Sequence, residues 1–80
     1  MKTKSIFDSR YIKLIDGLVG TRHAKGWSQR KMAERLGTNH NSVARIEMRE
    51  RRLDLVETID YLRALGLSKA EIIEKIGELV

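Results

Sequence analysis

The sequence predicts a small all-α domain of five helices, and three observations predict it. The chain has no proline and few aromatic residues (one Phe, one Trp, two Tyr), which favours packed helices over a β-sandwich. Its apolar residues recur at spacings of three and four, in segments bounded by glycine and by Ser, Asp or Asn. The stretch from Ser28 to Glu47 holds two short helical patterns around Gly37, the layout of two helices joined by a tight turn.

Taken in order, residues 1–7 read as a loose basic arm, with Lys2 and Lys4, and residues 8–80 as one domain. Asp8 or Ser9 starts the first helix, and Tyr11, Leu14, Ile15, Leu18 and Val19 form its apolar stripe. Gly17 and Gly20 each weaken it by about 1 kcal/mol relative to alanine. The helix is expected to end near Lys25, with Gly26 in the left-handed conformation. Trp27 is expected to be buried between the first and fifth helices.

Ser28 caps the second helix, over 29–36, with Met32, Ala33 and Leu36 inward and Arg30, Lys31, Glu34 and Arg35 outward. Gly37 supplies the positive φ of the turn. Asn39 or Thr38 caps the third helix, over 40–48, with Val43 and Ile46 inward and His40, Asn41, Ala44, Arg45 and Met48 on the other side. The two-helix unit therefore spans 28–48. Asp54 starts the fourth helix, over 55–65, with Leu55, Val56, Ile59, Leu62 and Leu65 as its apolar set and Gly66 at its end. Ser68 and Glu71 form a capping box opening the fifth helix, over 69–79. That helix carries Ala70, Ile72, Ile73, Ile76, Leu79 and Val80, more apolar groups than one helix usually spends on its own core.

Composition bounds the function. Eighty residues give one small domain with a thin core. Without cysteine there is neither a disulfide nor a thiolate metal site. The absence of a membrane-length apolar run or a secretory core leads us to expect a soluble, intracellular protein that binds no membrane. The charge is uneven: residues 22–52 carry nine basic and three acidic groups, whereas 53–80 carry three basic and six acidic. A polyanion is steered to the centre of the chain and repelled by its C-terminal part. His23 and His40 lack metal-site spacing, and no phosphate loop or nucleophile–base set is visible, so neither an enzyme nor a cofactor is expected.

The run Leu18-x-x-x-Arg22-x-x-x-Gly26-x-Ser28-Gln29, then Met32-Ala33-x-x-Leu36-Gly37, then Ser42-Val43-x-Arg45-Ile46-Glu47, resembles the Cro/C1-type helix-turn-helix domain. This is the XRE family, which includes lambdoid phage repressors and Cro. The resemblance continues through Leu55 and Leu65-Gly66-Leu67-Ser68, covering roughly residues 10–72. It implies a five-helix lambda-repressor-like fold and a cytoplasmic, bacterial or phage-encoded transcriptional regulator. Such a regulator, usually a repressor, binds double-stranded operator DNA as a symmetric homodimer. The family's phosphate-binding glutamine falls on Gln29 and its base-reading positions on His40, Asn41 and Arg45. Ser42 and the loop after the third helix match phosphate-contacting positions. Arg22 and Glu47 match a structural ion pair. The pattern departs at Arg49, where many members carry glycine.

The chemistry of these side chains agrees with those roles. A recognition helix enters the major groove by its first turn while the preceding helix crosses the phosphates. Asn41 can bond adenine N6 and N7, and Arg45 can pair with guanine O6 and N7, each discriminating by about 1–3 kcal/mol. His40 can donate to a purine N7 or a phosphate. The alternatives are a phosphate contact for Arg45, support of the helix N-terminus for Asn41 and plain solvent exposure for His40. Gln29, Arg30, Ser42, Arg49, Arg51 and Arg52 are the phosphate candidates. Ile72, Ile73, Ile76, Leu79 and Val80 are the dimer-interface candidates, with cover for Trp27 and the first helix as the alternative. Two further readings stand beside the regulator. One is an antitoxin or controller protein that acts on its own promoter and binds a second protein. The other is a protein-interaction domain that does not bind DNA.

Overall fold

A computed structural model describes residues 8–80, so the N-terminal arm expected over 1–7 lies outside the described residues. The helices are α1 (Ser9–Ala24), α2 (Gln29–Leu36), α3 (His40–Glu47), α4 (Leu55–Ala64) and α5 (Lys69–Gly77), with no strand among the described residues. Each begins at a capping residue whose side chain accepts a backbone N–H of the first turn: Asp8, Ser28, Asn39, Asp54 and Ser68. Asp54 and Ser68 each open a full capping box, with Glu57 and Glu71 returning the bond.

The ends of the first four helices share one device. After α1, Gly26 takes φ 71° and the N–H groups of Gly26 and Trp27 bond back to His23 and Arg22. These are the two bonds of a Schellman motif, which satisfies carbonyls left open at a helix end. Gly37 does the same after α2, at φ 75°, and Gly66 after α4, at φ 91°. After α3 the left-handed residue is Arg49, at φ 59°. Its N–H bonds to the Ile46 carbonyl at 3.0 Å, and that of Glu50 to the Arg45 carbonyl at 2.8 Å. The turn, at the position where the resemblance implies glycine, is thus kept with a side chain in place.

The core runs through the middle of the bundle. Leu14, Ile15 and Leu18 of α1 meet Met32 and Ala33 of α2, Val43 and Ile46 of α3, Tyr61, Leu62 and Leu65 of and after α4, and Ile72 of α5. Leu53 closes it from the α3–α4 loop, and its N–H is bonded by the Tyr11 hydroxyl oxygen at 3.1 Å. That bond ties the loop to α1. An added Cβ at Gly20 would meet nothing within 4 Å, and one at Gly17 only the Lys75 side chain at 3.7 Å. Neither glycine is required by a close helix crossing.

Three expectations are corrected. Leu55 and Val56 are 66% and 65% exposed; the inward stripe of α4 is Thr58, Tyr61, Leu62 and, just beyond it, Leu65. At about 100° per residue Val56 stands opposite that stripe, and Leu55 sits on its edge in the first turn, where α4 overhangs the core. Ile72 is not a surface group: it is buried against the α1–α4 core, with Ile76 and Leu79 half-buried beside it. Trp27 is half-buried at the edge of the core rather than inside it, its ring flanked by Lys25 Nζ at 5.3 Å and Arg35 Cζ at 4.5 Å from the centroid. Charged groups on a ring need access to water, which places this indole at the rim. Arg35 Nε also donates to the Ala64 carbonyl at 2.6 Å, so the Trp27–Arg35 pair braces α2 to the end of α4.

Candidate nucleic-acid interface

The candidate interface centres on α3. Val43 and Ile46 fix its inner face against the core, so the opposite face carries Asn41, Ala44, Arg45 and Met48. Asn41 and Arg45 are exposed, one turn apart, and His40 is half-exposed at the first position of the helix. Asn39 accepts the Ser42 N–H at 2.9 Å, which engages one of the open donors of the first turn and leaves Asn41 uninvolved in capping. Arg30 is exposed on α2, Arg52 on the α3–α4 loop, and Ser42 and Arg49 are half-buried.

The other end of α3 is anchored. Arg22 is 6% exposed and grips Glu47 with two bonds, Nε to Oε2 at 2.6 Å and Nη2 to Oε1 at 2.9 Å. Its Nη1 donates to the Trp27 carbonyl at 2.6 Å, which joins the end of α1 to the start of α2. Nη2 also lies 3.0 Å from His23 Nε2. Arginine only donates, so in this contact the ring nitrogen is the acceptor. Gln29 Nε2 completes the cluster by donating to Glu47 Oε1 at 3.0 Å. A planar, bidentate pair of this kind sets the direction of α3 relative to α1 and α2.

Two features of the cluster were not visible in the sequence. Tyr61 packs near this pair with its hydroxyl buried and unbonded, and burial together with the Glu47 charge pushes that hydroxyl's pKa well above the usual phenol range. Gln29 has its side-chain amide on Glu47; its backbone N–H stands at the first position of α2, where helical bonding supplies no partner.

Arg51 also departs from its reading as a phosphate candidate. Its Nη2 donates to Glu57 Oε2 at 2.5 Å. The signal was present: Asp54 and Glu57 have the same capping-box spacing as Ser68 and Glu71.

A family model for a helix-turn-helix domain matches residues 20–74, which contain α2, α3 and α4 whole. Among solved structures, the chain is similar to an XRE-family like protein from Pseudomonas syringae pv. tomato str. DC3000, with 34% identity over 95% of both chains and a TM-score of 0.78. No match was found among the curated proteins compared. The chain belongs to the XRE-type helix-turn-helix family, and its class is that of DNA-binding regulators. No helix among the described residues is long and apolar enough to cross a membrane.

Proposed function

We propose that this protein is a sequence-specific repressor that binds a palindromic operator as a homodimer, with α3 in the major groove. The observation that carries the reading is the placement of Asn41 and Arg45 on the face of α3 opposite its Val43–Ile46 anchor. On this reading Asn41, Arg45 and His40 meet base edges. Gln29 offers its backbone N–H to a phosphate, and Arg30, Ser42, Arg49 and Arg52 add contacts along the backbone. Arg22 and Glu47 belong to the scaffold.

Pairing is assigned to the outer side of α5, where Ile73 is 61% exposed and Val80 lies beyond the helix end, with Ile76 and Leu79 at the margin. Changing Ile73→Lys is expected to leave a folded monomer in sedimentation, and an unchanged association state would overturn this pairing face. The reading as a whole is tested by selecting bound sequences from random duplexes. The expected product is an inverted repeat whose half-site centres lie about 34 Å apart, one DNA turn. Retention of no duplex at low salt would sink it in favour of a protein-interaction domain.

A further inference from the structure

The loop after α3 holds cations of different standing. Arg51 is ion-paired with Glu57, whose carboxylate is itself fixed. Its Oε1 accepts the Asp54 N–H at 3.1 Å, and the Asp54 side chain accepts the Glu57 N–H at 2.7 Å. The helix cap thus holds the carboxylate in place, and its second oxygen, Oε2, captures the arginine. The pair lowers the Glu57 carboxyl pKa below its ordinary value and raises that of Arg51. Arg51 lines an open cleft of about 210 Å³ behind α3, with Thr38 and Ser42 on one side and Glu57 and Asp60 of α4 on the other.

We propose that Glu57 is a positioning residue that latches Arg51 to α4, withholds it from the DNA backbone and so attenuates affinity. The proposal rests on the DNA-binding reading above. A phosphate reaching Arg51 must compete with a tethered carboxylate or approach it against that charge. A counterion built into the protein is not released on binding, so the latched arginine adds little to the salt dependence. The sequence counts Arg51 among the phosphate ligands; the latch removes it from that set while Glu57 carries its charge.

The test is a double-mutant cycle on the full chain, read as duplex affinity against salt. Glu57→Gln is suited to it, because glutamine also completes a capping box. This variant is expected to bind about threefold tighter at 0.1 M salt and to steepen the slope of log K against log salt by about 0.9, one further phosphate. Arg51→Gln is expected to stay within about twofold of the parent, and the double variant to match Arg51→Gln. A gain from Glu57→Gln that survives in the Arg51→Gln background would mark a general charge effect and overturn the latch. So would a loss in Arg51→Gln as large as that in Arg49→Gln, or no gain in a folded Glu57→Gln. If the parent itself retards no duplex at low salt, the DNA-binding reading falls and the latch falls with it.

Discussion

The two ends of α3 are built on opposite terms. At its start, Gly37 turns the chain without a Cβ, Asn39 caps the helix, and His40 and Asn41 are left facing outward. At its end, Glu47 is held by Arg22 and Gln29, and Arg49 turns the chain with a side chain in the left-handed region. The first end presents chemistry; the second fixes direction. A helix of eight residues is too short to be stable alone, so a free end can present side chains accurately only if the other end is clamped.

Breaking the clamp is the largest expected effect. Arg22→Ala leaves Glu47 at 9% side-chain exposure with only the Gln29 amide, and leaves the Trp27 carbonyl without its donor. Removing one partner from such a pair costs about 3–5 kcal/mol. Small domains have about 5–15 kcal/mol in total, so urea or thermal denaturation is expected to show a deeply destabilised protein. DNA affinity then falls only as far as the unfolded fraction grows. An unchanged melting temperature combined with lost DNA affinity would move Arg22 from the scaffold to the interface.

The comparison also shows what the sequence carries by itself. The turn at Gly37 and the caps, two of them as a choice between neighbours (Asp8 or Ser9, Asn39 or Thr38), were legible because each is decided within a few residues: a Ser, Asp or Asn at the cap position, a glycine after the last turn. The turn at Arg49 was not, because the glycine is missing there. The Arg22–Glu47 pair, 25 residues apart, was legible only through the family pattern. What escaped was settled by packing between elements. The apolar set Leu55, Val56, Ile59, Leu62 and Leu65 cannot reveal the phase of α4, because the ring of Tyr61 and the methyl of Thr58 fill positions that a hydrophobic count passes over. Ile72 and Ile73 are adjacent and chemically alike, yet only the seating of α5 puts one in the core and the other outside. Arg35, Arg45 and Arg51 look equivalent in a charge count. The fold commits Arg35 to Trp27 and Ala64, commits Arg51 to Glu57, and leaves Arg45 exposed on the outer face of α3.

The two turns invite a reciprocal exchange. A side chain in the left-handed region costs about 1–2 kcal/mol, while glycine loses about 0.5–1 kcal/mol more backbone entropy on folding. The balance leaves about 0.5–1 kcal/mol in favour of glycine at either position. Gly37→Ala meets no atom within 4 Å, so its cost is conformational alone, and chemical denaturation is expected to show destabilisation of that size. Arg49→Gly is expected to show stabilisation of the same size, because the Schellman bonds from Arg49 and Glu50 need only the backbone. On the DNA side the exchange is not symmetrical. Gly37→Ala leaves the charge intact, whereas Arg49→Gly removes a phosphate candidate and is expected to flatten the slope of log K against log salt by about 0.9. A variant that gains stability and loses salt-dependent affinity would show that the arginine is kept at this turn for its charge, against the preference of its backbone. If Arg49→Gly gained stability with an unchanged salt slope, Arg49 would be a strained surface residue, and the backbone contacts after α3 would have to come from elsewhere in the loop.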